Sequence, residues 1–211
     1  MERGQAKDAL LAAMLPDVPF DGWTEKALAR AAERVGLEPG ELRSLLPGGV
    51  RDLVAWFSHW ADRETMRALE ARDLSALKVR ERIAAGVQTR LSVLTPHREA
   101  VRRSLALLTA PQNLALGARL LYEAVDAIWY AAGDTATDFN FYTKRALLAG
   151  VYAATTLYWL DDRSPESADT LSFLDRRLSD VMAIPKATAR VRAWASRLPD
   201  PFRLGRLARR L

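Results

Sequence analysis

The sequence predicts an all-α fold, a helical bundle carrying a small helix-turn-helix-like head. Every strong apolar pattern repeats at the helical period of 3.6 residues. No stretch alternates as a half-buried strand would, and no hairpin turn is convincing. The third observation is the stretch Asp138 to Asp162, DFNFYTKRALLAGVYAATTLYWLDD, which reads as one helix. Asp138 can cap its start, because a short carboxylate accepts bonds from the orphan N–H groups of a first turn. Asp161, Asp162 and Arg163 mark its end. From Ala146 to Leu160 it holds 15 consecutive uncharged residues and no proline. Such a helix is apolar nearly all round, so water is not its main neighbour. The run is shorter than the roughly 20 residues a bilayer span needs. It is either the central helix of a soluble bundle or the wall of an apolar cavity.

The remaining elements follow in order. Residues 5–15 form a short helix stopped by Pro16, and 16–22 read as a turn. Residues 24–35 form a second helix, with Ala27, Leu28, Ala31 and Val35 on one face and Gly36 as its stop. Pro39 suits the first position of a short helix to Leu46. Pro47-Gly48-Gly49 separates it from a long helix over about 50–71. Further helices are predicted over 77–94, 97–109, 111–132 and 164–184, the last closed by Pro185. In the 111–132 helix, Leu114, Leu121, Val125 and Ile128 form the inner stripe. Tyr122, Asp126, Trp129 and Tyr130 lie on an adjacent side. Aromatics around a carboxylate have an interface composition, although the same rings can instead pack on the next helix.

Short helix, helix, tight turn, short helix, long helix is the layout of the head of a TetR-type regulator. A DNA-reading helix needs cationic and amide donors. The third helix here holds Glu38 and Glu41 against Arg43 alone, which speaks against nucleic acid as a partner.

A chain of 211 residues can bury a sizeable core. Three regions are expected: the head with its connecting helix (1–72), a helical bundle (73–185) and a tail (186–211). There is no cysteine, which excludes disulfides and thiolate chemistry. His59 and His97 lie in no metal-ligand spacing and read as structural, His97 as an exposed first-turn residue. No nucleophile–base pair, phosphate loop, dinucleotide fingerprint or Glu-x-x-His pair is present. The expectation is a non-enzyme without metal. No secretory signal is seen, so the expected location is cytoplasmic.

The net charge of +5 is unevenly spread. Lys186 to Leu211 carries eight basic residues and one acid, leaving −2 on residues 1–185. In the tail, Val191, Trp194 and Leu198, then Phe202, Leu204, Leu207 and Leu211, form apolar stripes beside an arginine-rich face. That is the composition of a helix lying among lipid headgroups, or of a solvated, frayed end.

The block Trp129 to Arg145, WYAAGDTATDFNFYTKR, resembles the signature of the coenzyme Q biosynthesis protein 9 family. SPESADTLSFLDRR (Ser164–Arg177) and DGWT (Asp21–Thr24) also resemble that family, and the similarity covers roughly residues 8–184. The resemblance implies a TetR-like all-α fold, often dimeric, that no longer acts on DNA. It implies an apolar cavity among the C-terminal helices for an isoprenoid quinone or phospholipid. The residues we expect there are Leu121 and Val125 with Leu147, Leu148, Val151, Tyr152 and Thr155, together with Leu171 and Leu174. It also implies a partner, the di-iron demethoxyubiquinone hydroxylase, docked on a surface that includes Asp126 and Trp129. We assign Tyr122 and Tyr130 to the same surface. The tail stripes would hold the protein peripherally on the inner membrane of a bacterium. The competing reading is a transcriptional regulator with an apolar effector.

Overall fold

The computed structural model describes residues 2–133 and 139–195, with side chains over 2–133 and 143–181. Its helices are α1 (Arg3–Met14), α2 (Val18–Asp21), α3 (Glu25–Arg34), α4 (Pro39–Leu45) and α5 (Val50–Glu70). There follow α6 (Val79–Leu94), α7 (Arg98–Leu108), α8 (Leu114–Ala131), α9 (Phe139–Asp161) and α10 (Ala168–Ala195). No strand occurs among the described residues.

The head is α1–α4 with the first turns of α5. Leu10, Leu11 and Met14 of α1, Val18 of α2, Leu28 and Ala31 of α3, and Leu53 of α5 meet in one sealed core. Local chemistry fixes each entry. Thr24 caps α3, its hydroxyl accepting from the Ala27 N–H at 3.2 Å. The α5 start borrows its cap from α3: the Glu25 carboxylate accepts the Val50 N–H at 2.9 Å. Gly49 permits that approach, with φ at +63° and no room for a Cβ, which would lie 2.4 Å from Glu25 Oε1. The Trp23 indole donates to the Ala100 carbonyl at 3.1 Å, pinning the head to α7.

In the bundle, α8 and α9 pack against each other, with α5 and α6 on α8 and α10 on α9. At Gly86 of α6 a Cβ would come within 2.9 Å of Ile128 on α8, so glycine sets how closely those helices approach. The turn from α9 to α10 is built on Asp162. Its carboxylate accepts from the Ser164 N–H and hydroxyl and from the Thr170 N–H and hydroxyl, at 2.5–2.9 Å. Desolvation works to raise its pKa, but these four bonds outweigh it and hold the group well below the usual carboxylate range. Glu166 and Ser167 take left-handed φ values of 51° and 58° to make the turn.

Four expectations need correction. Residues 18–21, expected as turn, form the one-turn helix α2, with Pro19 early in it. Pro185 does not stop the last bundle helix. α10 runs through it to Ala195: an interior proline loses its N–H bond and crowds the preceding turn at a cost of about 3 kcal/mol, which the 28-residue helix carries. The expected boundary at 185/186 therefore falls inside α10. His97 is half-buried, edge-on to Trp60 (5.5 Å) and Phe57 (6.1 Å), and desolvation lowers its pKa. On α8, Leu120 and Ala124 take the inner positions beside Val125 and Ile128, while Leu114 turns out to solvent.

Candidate functional site: an apolar cavity with one polar end

A cavity of about 440 Å³ lies among α5, α6, α7, α8 and α9. That falls within the range of small-molecule sites, roughly 300–1,000 Å³. Its wall is chiefly apolar: Phe57 from α5, Leu94 from α6, Leu105 and Leu108 from α7, Leu120 and Leu121 from α8. α9 contributes Tyr152, Ala153, Thr156 and Leu157. Two of the lining residues, Leu114 and Leu157, are 54% and 60% exposed, and they mark where the cavity opens. The opening is thus rimmed by leucine on two helices.

The opposite end is polar. Arg90, 4% exposed, donates from Nε to the Tyr152 hydroxyl at 2.7 Å. Its other nitrogens reach the Asp62 carboxylate and the Ser58 hydroxyl (3.2 Å). Burial works against the Arg90 charge, and Tyr152 and Asp62 hold it. Desolvation raises the Asp62 pKa in spite of that attraction. Toward the surface, His59 bonds to Glu123 at 2.9 Å. Ser58, Arg90 and Tyr152 all line the cavity.

Of the residues expected at the lipid site, Leu121 and Tyr152 line this cavity. Val125, Leu148, Val151, Thr155 and Leu174 are buried in the surrounding core instead. Thr155 spends its hydroxyl on the Val151 carbonyl at 2.7 Å. Leu147 is half-buried and borders no described cavity. Leu171 belongs to a second groove of about 640 Å³, lined by Arg72, Gln88 and Thr89 with Leu91, Val93 and Trp159, whose wall is more polar than that of the first cavity. These seven are corrected for one reason. A helical stripe marks an inward side, and most of that side meets other side chains. The contribution of α5, α6 and α7 carried no mark in sequence.

The α8 flank is divided. Tyr122 and Tyr130 are exposed. Asp126 is half-exposed and pairs with Arg145, a buried guanidinium 2.6 Å away on α9. Trp129 is buried at 8%, with the Lys144 ammonium 5.6 Å above its ring, which corrects its expected place on an open surface. One residue of offset decides this: Trp129 follows Val125 and Ile128 inward, while Tyr130 follows Tyr122 and Asp126 outward.

In the head, the N-terminus of α4 is capped from within, Glu41 accepting the Glu38 N–H at 3.0 Å. Both carboxylates are exposed on the helix that would meet a groove. Of the expected membrane-contacting residues, Val191 and Trp194 lie on the last turns of α10. Leu198, Phe202, Leu204, Leu207 and Leu211 lie outside the described residues. No described helix is long and apolar enough to cross a membrane. No group of three or more His, Cys, Asp or Glu residues that could hold a metal occurs among the described residues.

The fold is that of the TetR class. A TetR transcriptional regulator from Nitrosomonas europaea superposes with a TM-score of 0.67 over 83% of this chain and 97% of its own, at 19% identity. Residues 114–185, from α8 into α10, match the family model described as COQ9. The mitochondrial ubiquinone biosynthesis protein COQ9 of Rattus norvegicus is 34% identical over 92% of this chain, and that of Homo sapiens 33% over 92%. The chain belongs to the COQ9 family. It spans 64% and 63% of the length of those two relatives.

Proposed function

We propose that this chain is a non-catalytic, lipid-binding accessory protein of ubiquinone biosynthesis. The cavity takes up the head and first units of an isoprenoid quinone intermediate and offers it to a di-iron hydroxylase. The carrying observation is the leucine-rimmed apolar cavity walled by α9. Burying a lipid tail there is favourable by about 0.8 kcal/mol per CH₂ group, which offsets the cost of withdrawing it from a bilayer. Family membership supports the pathway. The outward face of α8, with Tyr122, Asp126 and Tyr130, suits the hydroxylase. The basic, apolar-striped tail suits an anionic leaflet, where each basic residue contributes roughly 1 kcal/mol. A homodimer and a peripheral position on a bacterial inner membrane complete the reading.

Native mass spectrometry of the full chain after incubation with quinone-loaded liposomes tests it. The expected result is a one-to-one quinone or phospholipid adduct. Protein that emerges without any lipid mass would sink the proposal.

A further inference from the structure

The polar end of the cavity has hydrogen-bonding capacity that the protein itself does not use. Tyr152 accepts from Arg90, and its own O–H finds no acceptor among the described residues. A phenol carries one donor and can accept as well, so this proton is unspent. Tyr152 is only 8% exposed, and Arg90, its hydrogen-bond partner, and Ser58, which Arg90 also reaches, line the cavity with it. One turn further along α9, Thr156 also lines the cavity at 5% exposure, and its buried hydroxyl has no partner. Buried polar groups are nearly always paired, so two unspent hydroxyls four residues apart on one helix face are an exception with a direction. The bond from a charged guanidinium polarises the phenol and makes its proton a stronger donor. Arg90 is committed to Asp62, so the cluster offers no free cation to an incoming anion, and bringing one in would leave its charge uncompensated.

From this we propose that the inner end of the cavity reads a hydrogen-bond-accepting ring oxygen of a neutral lipid head through the Tyr152 hydroxyl, with the Thr156 hydroxyl one turn nearer the mouth reached by a second oxygen of the same head. The proposal rests on the lipid-binding reading above and adds an orientation to it. The head goes in first, and the tail runs out past Phe57 and Leu105 to the Leu114–Leu157 mouth. Thr156 joins by a rotation about χ1 that brings its hydroxyl round to the cavity wall.

The test compares three probes on the full chain by native mass spectrometry at graded concentration: a dimethoxybenzoquinone with a decyl tail, decylbenzene, and decanoate. The expected order for the unaltered chain is quinone tightest, with decanoate no better than decylbenzene. Tyr152→Phe should lose about five- to tenfold in quinone affinity, the scale of one hydrogen bond, and nothing for decylbenzene. Thr156→Val removes a hydroxyl that bonds to nothing among the described residues, so it should fold normally and lose about two- to fivefold for the quinone alone. It decides the matter if Tyr152→Phe, by stripping Arg90 of an acceptor, fails to fold. Quinone affinity unchanged in the folded variants, or decanoate displacing the quinone, overturns the orientation while the cavity reading stands. An unaltered chain that takes up neither quinone nor decylbenzene removes both.

Discussion

The head and the bundle are made from the same alphabet of leucine, alanine and valine, yet one is filled and the other is hollow. In the head, three turns of α1, the face of α3 and Leu53 close on one another, and no residue of α1–α4 reaches either described cavity. In the bundle, α5 to α9 bury their stripes along most of their length and then part around about 440 Å³. The difference lies in what closes each space. Small residues at contact positions, Ala27 and Ala31, let the head helices approach. On the cavity side Ala61, Gly117, Ala118, Ala124 and Ala153 are also small, but the large side chains that would fill the gap between them are missing. Small residues thus bring helices together in one place and leave room in the other.

Truncation probes that contrast most strongly. Leu53→Ala in the head should cost about 2–5 kcal/mol, the range for a fully buried leucine, measured by urea unfolding. Leu105→Ala on the cavity wall should cost less, below about 2 kcal/mol, because a side chain bordering a void has fewer contacts to lose. Equal losses would mean that the two interiors are packed alike. Enlargement is the converse. Ala31→Phe should destabilise the head by about 1–3 kcal/mol or more through overpacking. Ala153→Phe should leave the unfolding midpoint nearly unchanged while abolishing lipid uptake, since the ring enters empty space.

A third measurement concerns the frame that holds α9. Asp162→Asn should cost about 1 kcal/mol, as for loss of a cap. The folded-state pKa of Asp162 lies below the ordinary value of 3.8. Its contribution is therefore complete above the unfolded pKa and is lost as the pH falls through the folded one. The stability difference between the parent chain and Asp162→Asn should shrink on acidification below about pH 4, and a difference that grows would contradict the assignment. The smallest effect belongs to the α8 flank. Tyr130→Lys should change stability by no more than about 0.5 kcal/mol, so a loss of binding to the hydroxylase proposed above would be read as lost contact.

The helices were legible because their stripes and caps are local. Thr24, Gly36 and Pro39 each act within a few residues of where they stand. α2 escaped because PDVPFDG has turn composition, and one helical turn has no period to display. Pro185 misled because a missing N–H weakens a helix without ending it. The excess of apolar surface on α9 left core helix and cavity wall as alternatives, and the helix is both: Thr155 and Trp159 are buried in the core, while Tyr152 and Thr156 line the cavity. The rest of the wall was hidden. Arg90 reads as one polar residue in a stripe, and its partners Asp62 and Tyr152 stand 28 and 62 positions away. Nothing local says that this guanidinium is buried. Trp129 was misplaced by a single position on the wheel, which periodicity on a helix rich in apolar residues does not resolve.

The Asp162 carboxylate grips the first residues of α10 while its own backbone carbonyl accepts from Arg98 at 2.7 Å, and Arg98 also reaches Ser167. The corner between the two longest helices is therefore clamped and not jointed. The start of α10 is thus tied to the end of α9, the helix that supplies Tyr152, Ala153, Thr156 and Leu157 to the cavity wall.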